Sequence, residues 1–186
     1  MNKLLVLLLT SIACTANAGN FSFAAGVGQE VVQTTRGNAT ADLFQINEGY
    51  RFDNGVTLSG TVMSGYFNRS YIPHEQRYEA NVGYGMKFDK LSPYGVITYG
   101  RRVRNTKDSM DYYAATVGTK IALIDNWYGD VAYRYRDTND ATWKTDTYFA
   151  GLGYNITPKV TVFGQYGNTT GDYKSYQYSL VLINRF

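Results

Sequence analysis

The stretch YKSYQYSLVLINRF (residues 173–186) decides the fold. Taken alternately, Tyr176, Tyr178, Leu180, Leu182, Asn184 and Phe186 share one side of an extended chain, and Gln177, Ser179, Val181, Ile183 and Arg185 share the other. Successive side chains of a strand point to opposite faces, so this segment has one mostly apolar face, one mixed face and an aromatic end. The same alternation recurs upstream. In RYEANVGYGMKF (residues 77–88), Tyr78, Ala80, Val82, Tyr84, Met86 and Phe88 oppose Arg77, Glu79, Asn81, Gly83, Gly85 and Lys87. In WYGDVAYRYRD (residues 127–137), Trp127, Gly129, Val131, Tyr133 and Tyr135 oppose Tyr128, Asp130, Ala132, Arg134 and Arg136.

Period-two segments of this kind number about ten and are separated by turn signals. Besides the three above they fall near 20–31, 40–51, 56–67, 93–103, 111–123, 145–156 and 160–167. Short connections occur at 53–55, 89–92, 124–126 and 157–159, the first carrying the Asn-Gly chemistry of tight hairpins. Longer polar connections occur near 32–39, 68–76, 104–110, 138–144 and 168–172. Four short and five longer links in alternation put both chain ends on one side, which requires an even strand count, and ten satisfies it. The expected fold is all-β, a closed antiparallel transmembrane barrel of about ten strands with short periplasmic turns and longer external loops.

Energetics fit this register. A Lys or Arg facing lipid at mid-membrane costs about 2–4 kcal/mol, and the clean segments place none on the apolar face. About ten residues rising 3.3 Å each and tilted near 45° cover roughly 24 Å, against an apolar band of about 25 Å. Aromatic residues gather at both ends, with Phe52, Phe88, Trp127, Tyr154 and Phe186 on the periplasmic side. Tyr66, Tyr78, Tyr113, Tyr135, Tyr148, Tyr166 and Tyr176 lie on the external side. Two segments resist the scheme. Glu48 shares a side with Phe44, Ile46 and Tyr50, which suggests a bulge near Gly49, and 93–103 reads in either register.

The amino-terminus carries Lys3, an apolar run over 4–13 and the small-x-small site Ala16-Asn17-Ala18. The run is shorter than the roughly 20 residues a spanning helix needs. Residues 1–18 are therefore expected to be a cleaved signal for the general secretory pathway, and 19–186 the barrel domain. Ser11 stands where a lipoprotein signal ahead of Cys14 normally has leucine, and cleavage after Ala18 removes that sole cysteine. The chain has 18 Tyr, 9 Phe and 19 Gly but only 3 Pro, a strand-favouring composition. Mean hydropathy of −0.32 is too low for helical spans and suits a barrel whose outer face alone is apolar. A net charge of +3 does not indicate a nucleic-acid binder.

The inward face of such a barrel carries the functional candidates. Arg51, Lys87, Lys120 and Arg185 would lie toward the periplasmic end, and Arg77, Arg102, Arg136 and, deeper, Arg134 toward the outside. Glu79 and Asp130 are the opposing carboxylates. Buried charges without partners cost several kcal/mol each, so this excess of cations implies water or anions around them and an anion-preferring lumen. Gly83, Gly85, Gly118, Gly151, Gly153 and Gly167 would add room, whereas Met63, Phe149 and Phe163 would obstruct it. The alternative is a salt-bridged, side-chain-filled interior with the glycines serving sheet curvature.

The export signal, paired aromatic girdles, terminal Phe186 and the stretch Val131-Ala132-Tyr133-Arg134-Tyr135-Arg136-Asp137 resemble small Gram-negative outer-membrane porins. The Tyr-Arg-Tyr-Arg run is similar to the oligogalacturonate-specific, acidic-sugar porin family, whose lumens are lined by arginines. That resemblance implies Arg134 and Arg136 as anion contacts. It also implies integral residence in the outer membrane, contact with its lipid and lipopolysaccharide, and insertion by barrel-assembly machinery and periplasmic chaperones with Phe186 as the assembly signal.

An enzyme is not expected. The single histidine, His74, falls in an external connection without a matching serine, no metal-ligand cluster occurs, and Gly26-Val27-Gly28 lacks the βαβ context of a nucleotide site. No cofactor or metal is implied. The competing class is a structural or surface-binding barrel, for which Arg36, Arg69, His74, Arg104, Lys107, Lys144 and Lys174 give the external side a positive character.

Overall fold

Alternating sequences of this kind close on themselves because an open edge would leave backbone groups unpaired in hydrocarbon. The computed structural model describes residues 19–35, 37–68, 74–105, 108–138, 143–172 and 174–186. The expected signal at 1–18 and the external cations Arg36, Arg69 and Lys107 lie outside the described residues. Ten strands follow in order: β1 (Gly19–Thr34), β2 (Gly37–Phe52), β3 (Val56–Phe67), β4 (Glu75–Gly85), β5 (Leu91–Asn105), β6 (Asp108–Ala122), β7 (Trp127–Thr138), β8 (Lys144–Asn155), β9 (Val160–Gly171) and β10 (Ser175–Arg185). Each pairs antiparallel with its chain neighbours, and β10 returns to β1 to close the barrel.

Register gives every side chain a face. The β10–β1 seam pairs Leu182 with Ala25 and Val181 with Gly26, and Phe186 continues it by donating its N–H to the Phe21 carbonyl at 2.9 Å. Even-numbered residues of β1, β5, β6 and β7 point inward, as do odd-numbered residues of β2, β3, β4, β8, β9 and β10. This settles β5, whose Tyr94, Val96, Thr98, Gly100 and Arg102 face the lumen. Several strands run further on the external side than the alternation marks. β1 and β2 reach Thr34 and Gly37, and β4 begins at Glu75.

The outer face is exposed and apolar at Val27, Phe44, Val62, Val82, Ile97, Val117, Val131, Leu152, Leu180 and Leu182. Ring pairs bound it. Phe21 with Phe186 (5.9 Å) and Trp127 with Tyr154 (4.8 Å) lie at the periplasmic end. Tyr99 with Tyr113 (5.4 Å), Tyr133 with Tyr148 (5.4 Å) and Tyr166 with Tyr178 (5.1 Å) lie at the external end. Outward charges near the external rings are paired, Arg101 with Asp111 at 3.8 Å and Lys144 with Asp137 at 3.7 Å.

The expected bulge at Gly49 is absent. Pairing runs unbroken through Gly49, opposite Ser22 on β1 and Ser59 on β3, so Glu48 faces outward between Phe23 and Gly60. Continuous ladder hydrogen bonds outweigh the cost of one carboxylate close to the girdle, where lipid-facing charge is cheaper than at the midplane. Glu48→Leu is therefore expected to stabilise the barrel by about 1 kcal/mol, read as a higher urea midpoint for the refolded protein. An unchanged or lower midpoint would mean that the carboxylate has a partner in the membrane.

Candidate functional site

The lumen contains two chemically distinct halves. Its described cations are Arg51, Arg77, Arg102, Arg104, Lys120, Arg134, Arg136 and Arg185, and its described carboxylates are Glu30, Glu75, Glu79 and Asp130.

In the external half the charges are paired. Arg77 and Arg102 are direct cross-strand partners, an arrangement that like-charge repulsion would disfavour. Glu75 resolves it. One carboxylate oxygen accepts from Arg77 Nε, the other from Arg102 Nη2 and, at 3.3 Å, from Arg104 Nε. Arg77 Nη2 then reaches Glu30 on β1 at 2.8 Å, tying strands that stand three places apart in the ring. The guanidinium carbons of Arg102 and Arg104 lie 5.3 and 5.4 Å from the ring centroid of Trp143, just ahead of β8. Glu30 and Glu75 are only 2% and 3% exposed, so this half is a side-chain-filled closure that crosses the lumen.

One level deeper, Glu79 accepts from Arg134 Nη2 at 2.9 Å and from the Tyr112 hydroxyl at 2.6 Å. Arg136 has no carboxylate within ion-pair distance among the described residues, and lies over the Tyr112 ring at 4.7 Å. The Nε of Arg134 and of Arg136 are both buried without a hydrogen-bond acceptor. They border a cavity of about 140 Å³ whose wall also includes Arg77, Glu30, Glu79, Gln45, Gln165 and Gln177. Amide and guanidinium donors dominate that wall.

The periplasmic half is open. A vestibule of about 310 Å³ is lined by Arg51, Thr57, Gly83, Ser92, Tyr94, Lys120 and Asp130, among others. Asp130 accepts from the Tyr94 hydroxyl at 2.9 Å. Arg51, Lys120 and Arg185 form no ion pair with any described residue. Arg185 donates to Thr161 at 2.8 Å, and Lys120 lies 5.7 Å from the Tyr128 ring.

The inward glycines have a different use from making room. Aromatic rings of neighbouring strands lie flat against them, Tyr112 over Gly100, Tyr94 over Gly118 and Tyr128 over Gly153. A Cβ at Gly153 would stand 2.2 Å from the Tyr128 ring, which in turn stacks on Phe163 at 5.9 Å. The rings are thereby held along the wall, as aromatic residues opposite strand glycines are in designed sheets. Gly153→Val is expected to push Tyr128 into the lumen and to cost about 1–3 kcal/mol of stability. A urea midpoint equal to that of the parent protein would refute the close approach.

Of the residues singled out in the sequence, Arg77, Arg102, Glu79, Arg134 and Arg136 meet in the external and middle lumen, and Arg51, Lys120 and Asp130 meet in the vestibule. Lys87 joins neither group, because β4 ends at Gly85 and Lys87 is exposed beyond it. Arg104 is also corrected. β5 continues to Asn105 and turns Arg104 inward to Glu75 instead of presenting it on an external loop. His74 packs on Tyr66 with ring centroids 4.3 Å apart. The decisive carboxylates Glu30 and Glu75 were missed. Glu30 shares the side of Gly26 and Gly28, which marks it as inward, whereas Glu75 stands in the polar run 68–76, where no apolar alternation marks a strand.

No protein-family model matches the chain, and no curated protein matches its sequence. Solved structures do. KdgM porin is 15% identical, with 88% of this chain and 99% of that one covered and a TM-score of 0.52. The COG4313 outer membrane channel from Pseudomonas putida F1 is 8% identical over 92% and 97%, with a TM-score of 0.56. The translocator domain of the autotransporter NalP from Neisseria meningitidis is 8% identical over 100% and 96%, with a TM-score of 0.51. Identities this low speak for fold alone, and the fold they share with this chain is the closed, antiparallel, porin-like β-barrel of outer-membrane proteins.

Proposed function

We propose that this protein is a narrow outer-membrane channel for small anions whose resting form is closed toward the outside. The observation that carries this reading is the charge imbalance of the lumen. Eight described cations face four carboxylates, and of the cations left over Arg51 and Lys120 line the open vestibule, Arg136 borders the middle cavity, and Arg185 stands at the periplasmic end of β10. Unpaired charge in a narrow space raises the local concentration of its counter-ion. The cation excess on the periplasmic side and the ion-paired closure on the external side together fit a path that is basic throughout and constricted at Glu75.

Planar bilayers with refolded protein in a salt gradient test this. The expected reversal potential has the sign of anion preference and shrinks at high salt, where lumen charges are screened. A cation-selective reversal potential refutes the role given to the arginines. The second reading, a non-conducting structural or surface-binding barrel, is favoured by the cross-lumen network itself. It prevails if well-folded protein shows no conductance even when that network is cut. Neither reading requires a catalytic group or a cofactor. Both have the chain exported, inserted by the barrel-assembly machinery through its terminal Phe186, and in contact with lipid and lipopolysaccharide.

A further inference from the structure

We propose that the periplasmic vestibule is a binding site for a small dianionic oxyanion, inorganic phosphate or a phosphate monoester in class, entering from the periplasm. The site stands apart from conduction, because it needs only the open periplasmic end and not a path through the external closure.

Three facts point to this ligand. First, Arg51 and Lys120 line the vestibule together with Asp130, and Arg185 stands near enough to act on the Lys120 charge from outside that lining. Three cations and one anion leave a net local charge of two, which a dianion neutralises and a chloride ion does not. Second, among the described residues the donors are largely uncommitted. Arg51 spends one N–H on a long 3.4 Å contact to the Gly85 carbonyl, and Arg185 one on Thr161. An arginine has five N–H donors and a lysine three, in the fork-plus-point-charge combination that suits phosphate oxygens. Third, the space is suitable. At about 310 Å³ the vestibule falls at the lower end for small-molecule sites. Its Thr57 and Ser92 hydroxyls supply neutral hydrogen bonds. Asp130, the cross-strand partner of Lys120, accepts the Tyr94 hydroxyl through one of its oxygens.

Isothermal titration calorimetry on refolded full-length barrel in detergent, with orthophosphate titrated at constant ionic strength against a chloride background, tests the proposal. The expected result is saturable binding at millimolar phosphate or below, weakened at least tenfold by Lys120→Gln with Arg51→Gln. Arg101→Gln, on the outer face, should leave it unchanged. Lys120→Arg should retain binding within a few-fold, and heat-dependent gel mobility establishes that each variant is a closed barrel. Absence of binding by the folded parent protein overturns the proposal, as does equal binding by the double variant. Succinate binding as tightly as phosphate overturns the assignment to phosphate. Conductance of the same double variant, measured separately, distinguishes loss of this site from loss of the channel.

Discussion

Glu75→Gln is expected to turn a barrel that is closed on its external side into one that conducts readily, and to destabilise it at the same time. Glu75 is an acceptor shared by Arg77, Arg102 and Arg104. A glutamine of the same shape keeps one carbonyl oxygen but presents an NH₂ to the guanidinium on the other side. Arg77 retains Glu30, whereas Arg102 and Arg104 lose the carboxylate they share while keeping their place beside the Trp143 ring.

Removing one partner from a buried ion pair commonly costs about 3–5 kcal/mol. Here three cations are left crowded, two of them directly opposed across β4 and β5. Their cheapest relief is to separate and hydrate, which opens the lumen where it is now filled. The expected readouts are a several-fold increase in unitary conductance or open probability and a marked fall in urea midpoint. Anion preference should be kept or strengthened, since one negative charge has been removed. Increased conductance with lost selectivity would place the constriction elsewhere, and lower stability without increased conductance would support the non-conducting barrel. Glu75→Asp is the companion variant. It keeps the charge but shortens the reach, and should fall between the parent and Gln on both measurements.

How far these features were legible in the sequence follows from what a period of two encodes. Alternation assigns a face to each residue of a strand once its register is known, so Arg77, Glu79, Asp130, Arg134 and Arg136 were placed inward correctly from their own segments. It says little about where a strand stops. Glu75 and Arg104 belong to strand ends that continue past the apolar band into polar sequence, where outward apolar residues no longer mark the pattern, and both were assigned to connections. Lys87 failed in the opposite way, since Met86 and Phe88 extend the alternation past the end of β4 at Gly85. Pairing across the lumen is not encoded locally at all. Glu30 and Arg77 lie 47 residues apart, and Arg134 and Glu79 lie 55 apart; they meet only because closure brings β1, β4 and β7 to one interior. The glycine signal was visible, but its use needed register. Gly100 and Tyr112 are direct cross-strand partners, as are Gly153 and Tyr128.

A graded charge series at Arg136 is expected to carry the lumen from anion to cation preference. Three cations, Arg77, Arg134 and Arg136, and two carboxylates, Glu30 and Glu79, border the middle cavity. Arg136→Gln makes the two signs equal in number, and Arg136→Glu leaves two cations against three carboxylates. At an effective dielectric constant of about 20, a unit charge about 4–7 Å from a permeating ion is worth roughly 2–4 kcal/mol. Reversing it should shift relative permeability more than tenfold before screening. Arg136 suits the test better than Arg134, because Arg134 donates directly to Glu79 and its replacement by glutamate would set a carboxylate in hydrogen-bond contact with that one, whereas Arg136 acts on Glu79 only at longer range. Arg136 instead rests on the Tyr112 ring and makes no ion pair within bonding distance among the described residues. The reversal potential should move monotonically through arginine, glutamine and glutamate, with the steepest change at low salt. A flat series in folded, conducting barrels would show that ions bypass the middle cavity, and the excess charge of the lumen would then have no bearing on selectivity.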